Sequence, residues 1–133
     1  MQKDTSMYIL DTDIVIWLMR NEKKVVRWVK KIISKDQTAI STITIAEIYK
    51  NIYPEEVEAF DDFLQKQEII PVSVEIAKEA GLYWREFHKK LSQLSITDCI
   101  VAASALINRA PLATINVKHF PMENIKFVSP LSK

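Results

Sequence analysis

Glycine is almost missing from this chain: Gly81 is the single example in 133 residues. That excludes the phosphate-binding loops built on repeated glycines, both the Walker type and the dinucleotide type. Cysteine is equally scarce. Cys99 stands alone, so no intrachain disulfide can form, and it falls inside an apolar run without a motif around it. Together with only two histidines, His88 and His119, it is too little for a structural zinc site and a poor basis for Cys-His or Ser-His-Asp catalysis. No apolar stretch approaches the roughly 20 residues needed to cross a bilayer, so no membrane role is expected. A secretory pattern of basic start, apolar core and small-residue cleavage site is also lacking, which with the lone cysteine points to the cytoplasm. Neither sign of charge dominates. Eighteen basic and 17 acidic residues leave a net charge of +1, so no global field draws nucleic acid and any such binding depends on a local patch.

What is present is apolar residues, at 48% of the chain, enough for one well-cored domain in a length too short for two of typical size. Residues 7–133 are assigned to that domain. Residues 1–6, polar and without pattern, are expected to be a flexible leader.

The run from Met7 to Leu10 is short and apolar on both faces, as suits the central strand of a parallel sheet. Ile14, Trp17 and Leu18 then follow helical spacing, so Asp11 and Asp13 lie at a strand-to-helix junction. Open α/β sheets bind ligands beyond the carboxyl ends of their strands, which places Asp11 where a site belongs. Asp and Thr are equally the ordinary residues for capping such a helix. Residues 21–35 form an amphipathic helix with a basic outer face of Lys23, Lys24, Arg27, Lys30, Lys31 and Lys35, for which solvation is the simple explanation. Residues 38–42 read as a second strand, passing into a helix that carries Glu47. Thr44 and Glu47 have the spacing of a capping box, so Glu47 is either a cap or a ligand.

Pro54 opens another helix, with Val57, Phe60, Phe63 and Leu64 as its core stripe. Residues 68–72 form a third strand, where Pro71 suggests an edge. A long helix is predicted from Ser73 to about Lys90, and a largely apolar one over residues 94–107, with Asp98 near its start. Ser95 and Asp98 again match a capping box, although a charge there must be capped, paired or bound to a cation. Residues 112–114 and 126–128 are the last two strands. Strands alternating with helices give an α/β fold, a five-stranded parallel sheet flanked by helices on both faces. Asp11, Glu47, Asp98 and Asn116 then fall on one side of it.

The segments Ile9-Leu10-Asp11-Thr12-Asp13, residues 39–47 ending at Glu47, residues 96–103 around Asp98, and residues 112–121 around Asn116 span almost the whole chain. In order and spacing it resembles the PIN-domain ribonucleases of the VapC toxin type. Each motif is modest alone, and four together are specific. The resemblance implies a PIN-like fold with Asp11 on the central strand, and a metal-dependent endoribonuclease that is the toxin of a toxin–antitoxin pair. It implies that Asp11, Glu47 and Asp98 are the metal-binding carboxylates and that Asn116 holds a fourth position, where relatives carry Asp or Asn. Asp13, often Asn in that family, is kept as a helper or cap. An RNA substrate, a homodimer and an antitoxin that blocks the site are implied as well.

The residues suit that chemistry. Clustered carboxylates repel unless a cation joins them, and oxygen-only ligands favour Mg²⁺ or Mn²⁺, which phosphodiester hydrolysis can use. Thr114 and Ser41 are further candidates for a phosphate or for support of the carboxylates. Two other readings compete. A receiver-like signalling domain would need a phospho-accepting Asp after the strand at residues 69–72, and Ser73 stands there instead. A protein-binding module with an inactive site is the other, and the intact acidic trio speaks against it.

Overall fold

The computed structural model describes residues 7–33 and 36–131. The proposed leader, the expected helix end at Lys35 and the last two residues of the 7–133 assignment lie outside them. Five parallel strands form the sheet: β1 (Met7–Leu10), β2 (Gln37–Ser41), β3 (Glu68–Ile70), β4 (Leu112–Ala113) and β5 (Phe127–Val128), in spatial order β3-β2-β1-β4-β5. β1 is thus central. Ile9 pairs with Ala39 on one side and with Leu112 on the other.

Its apolar run is explained by burial on both faces. Ile9 and Leu10 are both fully buried, yet they feed different cores, because successive strand residues point to opposite sides. Ile9 joins Ala39 and Leu112 beneath α5 (Val74–Phe87) and α6 (Ile96–Asn108), which contribute Ile76, Ala80, Tyr83, Cys99, Ala102 and Ala103. Leu10 joins Ile40 and Ala113 beneath α1 (Thr12–Met19), α2 (Lys23–Ile33), α3 (Thr42–Asn51) and α4 (Val57–Gln65), through Ile14, Val15, Val25, Val29, Ile48 and Phe60. Each fully buried Val, Leu, Ile or Phe side chain among them contributes about 1.5–3 kcal/mol. Cys99 is a packing residue of the first core, and burial followed by the nearby Asp98 charge pushes its thiol up to about 11.

The predicted elements shift at their ends. β3 stops at Ile70, before Pro71, and lies at the edge of the sheet as the proline suggested. The Val72 N–H, expected in the strand, donates instead to the Thr42 hydroxyl at 3.2 Å. α5 ends at Phe87 rather than Lys90, where turns take over. α6 begins at Ile96, with Ser95 as its cap.

Candidate active site

The backbone ladder between β1 and β4 continues one residue past the strands: the Asp11 N–H donates to Ala113 O at 2.9 Å. Asp11 therefore leaves the carboxyl edge of the sheet in extended conformation and caps α1, its Oδ1 accepting from the Thr12 N–H at 2.9 Å. Its Oδ2 accepts from the Thr114 hydroxyl at 2.8 Å, just beyond β4. Cap and site are the same carboxylate. Asp11 is only 8% exposed. Burial, and next the charge of Asp13, push its carboxyl up to about 7, with Asp98 adding to the effect while Thr114 and the Thr12 N–H oppose it.

Asp13, one position into the first turn of α1, turns toward the segment after β4. It accepts from the Ile115 N–H at 3.3 Å, from the Asn116 side-chain amide at 3.2 Å and from the Thr114 hydroxyl at 3.3 Å. Its carboxyl is also raised, by burial first. Asn116 closes the knot by donating its backbone N–H to Thr114 Oγ1 at 3.1 Å.

Asp98 is held from its own helix. Ser95 Oγ accepts from the Asp98 N–H at 3.0 Å, and Asp98 Oδ2 accepts from the Ser95 N–H at 3.1 Å, so the expected capping box is formed. The box expected at Thr44 and Glu47 is not. α3 begins three residues earlier than that box requires, at Thr42, with Ser41 as its cap: Ser41 Oγ accepts from the Ile43 N–H at 3.1 Å. Thr44 is fully buried inside the helix and its hydroxyl is without a hydrogen-bond partner, so it caps nothing. Glu47 is thereby released from a capping role, and its ion pair is a loose one, 4.0 Å from the exposed Lys50 ammonium. Ser41, considered above as a contact for phosphate, is fully buried and committed to its helix end.

These elements converge on an open cleft of about 220 Å³ whose walls include Asp11, Asp13, Glu47, Asp98 and Asn116. Thr12, Thr97 and His119 also line it, and none of the three is among the site residues the sequence proposes. His119 is one of the two histidines too few for a structural zinc site. Its signal was its spacing three residues after Asn116, because a single 3-10 turn, Val117–His119, brings its N–H to Asn116 O at 2.9 Å. A larger hollow, of about 660 Å³, lies elsewhere; it is walled by residues of α2, α4 and the start of β2 and holds none of these carboxylates.

Four carboxylates line the cleft and, among the described residues, no lysine or arginine does. All are hard oxygen donors, and burial first, with the charge of Asp13 next, holds Asp11 toward protonation, so in donor type and charge the set fits a divalent cation such as Mg²⁺ or Mn²⁺. The side chains do not close into a cage: among the described residues, no three His, Cys, Asp or Glu stand close enough together to hold a metal ion. Each has other partners instead: Asp13 accepts from Asn116, Asp98 closes its own cap, and Glu47 lies 4.0 Å from Lys50.

Residues 8–120 match the family model described as PIN domain. Ribonuclease VapC10 of Mycobacterium tuberculosis is 28% identical over 116 residues, covering 87% of each chain. A toxin–antitoxin complex from Klebsiella pneumoniae superposes with a TM-score of 0.76 at 25% identity, over 95% of this chain and 99% of that one. VapBC2 from Rickettsia felis, solved bound to a DNA fragment from its promoter, gives a TM-score of 0.80 over 92% of this chain and 98% of that one; at 24% identity it speaks for the fold alone.

Proposed function

The chain belongs to the PIN-domain family, and we propose that it is an endoribonuclease, the toxin of a toxin–antitoxin pair, hydrolysing RNA phosphodiester bonds with Mg²⁺ or Mn²⁺. One observation carries this reading: Asp11, Glu47, Asp98 and Asn116, drawn from four distant segments, line a single acidic cleft at the carboxyl edge of the sheet. The ribonuclease names of relatives at 28% identity support it.

In this proposal Asp11, Asp98 and Glu47 would hold the cation. When bound, it supplies Lewis-acid charge toward a phosphate and acidifies water. The chain's own groups do the rest. Thr114 fixes the Asp11 carboxylate by its hydroxyl, and the Asp98 carboxylate is positioned by Ser95. Asp13 anchors Asn116 and the Ile115 N–H, setting the backbone after β4 against the cleft. Glu47, free of any cap, can orient the attacking water and take its proton. The water oxygen then bonds to phosphorus, the bond from phosphorus to the leaving oxygen breaks, and that oxygen takes a proton from solvent.

An antitoxin protein covering the cleft, a homodimer and a cytoplasmic location complete the proposal. The first is supported by the toxin–antitoxin complex of the same fold. For the last, no helix among the described residues is long and apolar enough to cross a membrane.

The test is cleavage of labelled RNA by purified protein with Mn²⁺, Mg²⁺ or a chelator, for the parent and Asp98→Asn. Metal-dependent cleavage lost in the variant supports the reading. The unclosed ligand set favours a second reading, a catalytically silent protein-binding module. A parent that cleaves nothing with either metal, while binding an antitoxin, would establish that one instead.

A further inference from the structure

On the outer surface of α5, Trp84 and His88 stand one turn apart with their rings stacked, centroids 3.7 Å apart and planes within 6° of parallel. The pair is locked. His88 Nδ1–H donates to Trp84 O at 2.7 Å; a carbonyl only accepts, so the proton is on Nδ1. Trp84 nevertheless remains 38% exposed. A large indole left at the surface, with a second ring held flat against it, is preorganised to continue the stack onto a third planar group.

The surroundings say which kind. Ile76, Ala80 and Tyr83 bury the inner face of α5. At 3.6 residues per turn, Glu75, Glu79 and Glu86 fall on one flank of the helix, and Trp84 and His88 on the other. Lys78 and Arg85 lie along the crest beside the aromatic flank, and Lys89 follows in the turn after the helix. Gly81, at i−3 from Trp84, adds an open shelf. A Cβ there would meet nothing within 4 Å, and its φ is not positive, so neither packing nor backbone conformation in the fold asks for the glycine. Cations with stacked aromatics match a nucleotide: the charges suit its phosphate and the rings suit its base.

A short coiled connection links this end of α5 to the helix that carries Asp98. Between α5 and α6 the chain stays coiled, the Lys90 and Leu91 N–H groups donating to Phe87 O at 3.1 Å and the Leu94 N–H to Leu91 O at 3.0 Å. The end of α5 is therefore kept beside the start of α6, which carries Asp98. We propose that the Trp84–His88 stack, edged by Arg85 and Lys89, is a platform on which a base of single-stranded RNA stacks while a neighbouring phosphate lies in the acidic cleft. The proposal deepens the ribonuclease reading and rests on it for the class of ligand.

The experiment is fluorescence anisotropy with a short fluorescein-labelled oligoadenosine RNA, in chelator so that the strand stays whole, for the parent, Trp84→Ala, Trp84→Phe and Arg85→Gln. Sedimentation fixes the oligomeric state of each. Trp84→Ala is expected to bind roughly tenfold more weakly, with Trp84→Phe restoring most of the affinity. Arg85→Gln is expected to lower the dependence of affinity on salt. Equal affinity of parent and Trp84→Ala overturns the platform, as does a parent that does not bind the strand. It is also overturned if Trp84→Ala changes the oligomeric state and affinity follows that change, since a second copy of the chain then covers the face. Should Trp84→Ala fail to fold by circular dichroism, His88→Ala takes its place, with the same outcomes. The two readings fail separately. A parent that cleaves no RNA with Mn²⁺ but loses affinity on Trp84→Ala sinks the nuclease and keeps the platform; a cleaving parent with affinity and KM unchanged in Trp84→Ala sinks the platform alone.

Discussion

Asn116 Nδ2 donates to Asp13 Oδ2 at 3.2 Å, joining residues 103 positions apart across the mouth of the cleft. The amide is there as the partner of an acid. A carboxylate at position 116 would face Asp13 at the same separation and, without a cation between them, would repel it.

Asn116→Asp is therefore expected to have opposite effects with and without metal. In chelator it should lower the melting temperature by roughly 4 °C, taking about 1 kcal/mol for the like-charge contact. Mn²⁺ should reverse the loss and raise the variant above its metal-free value by more than it raises the parent. Thermal melts of both proteins, with chelator and with Mn²⁺, decide this; equal melting temperatures in chelator would mean that Asp13 and Asn116 are not in contact in solution.

The metal-free protein is expected to lose stability as pH rises. Asp11 keeps its proton up to about 7 when folded but releases it near 3.8 when unfolded, so between those values the native state binds more protons. The slope of unfolding free energy against pH is then negative, and the stabilisation present below pH 4 is gone above pH 7. Asp13, raised in the same direction, adds to the slope. Urea melts in chelator at pH 5 and pH 8 should differ by a few kcal/mol at most, and Asp11→Asn should flatten the difference. A parent more stable at pH 8 would overturn the assignment.

Glu47→Gln should leave the fold untouched. Ser41 caps α3, and an exposed pair such as Glu47 with Lys50 is worth about 0–1 kcal/mol. Cleavage with Mn²⁺ should nevertheless fall at least about tenfold, by the loss of a charged ligand or water-orienting group. Melting and cleavage measured on one preparation separate the two effects, and undiminished cleavage would remove Glu47 from the site.

At α6 the two halves of the capping box should behave differently. Asp98→Asn keeps an oxygen for the Ser95 N–H, so the helix should hold while cleavage is lost. Ser95→Ala removes the cap oxygen and should cost about 1 kcal/mol, with cleavage reduced only in part, because Asp98 loses its anchor and keeps its charge. Denaturant midpoints beside cleavage rates check both; the reverse pattern would make Asp98 a cap alone.

The chain by itself determined the alternation of strands and helices, the double-faced burial of the first strand, the edge position before Pro71 and the Ser95–Asp98 box. All of these follow from local periodicity and from residue types that serve one backbone conformation. The cap of α3 was not decided that way. Ser41, Thr42 and Thr44 are all chemically able to cap a helix, and the choice falls to Ser41 because the ladder between β2 and β3 ends at the Ser41–Ile70 pair. Nor does any local rule reach from Asp13 to Asn116, or from Asp11 to Thr114. Those contacts exist because packing brings the ends of β1 and β4 side by side, and burial there leaves each carboxylate to find its hydrogen-bond donors in the opposite segment.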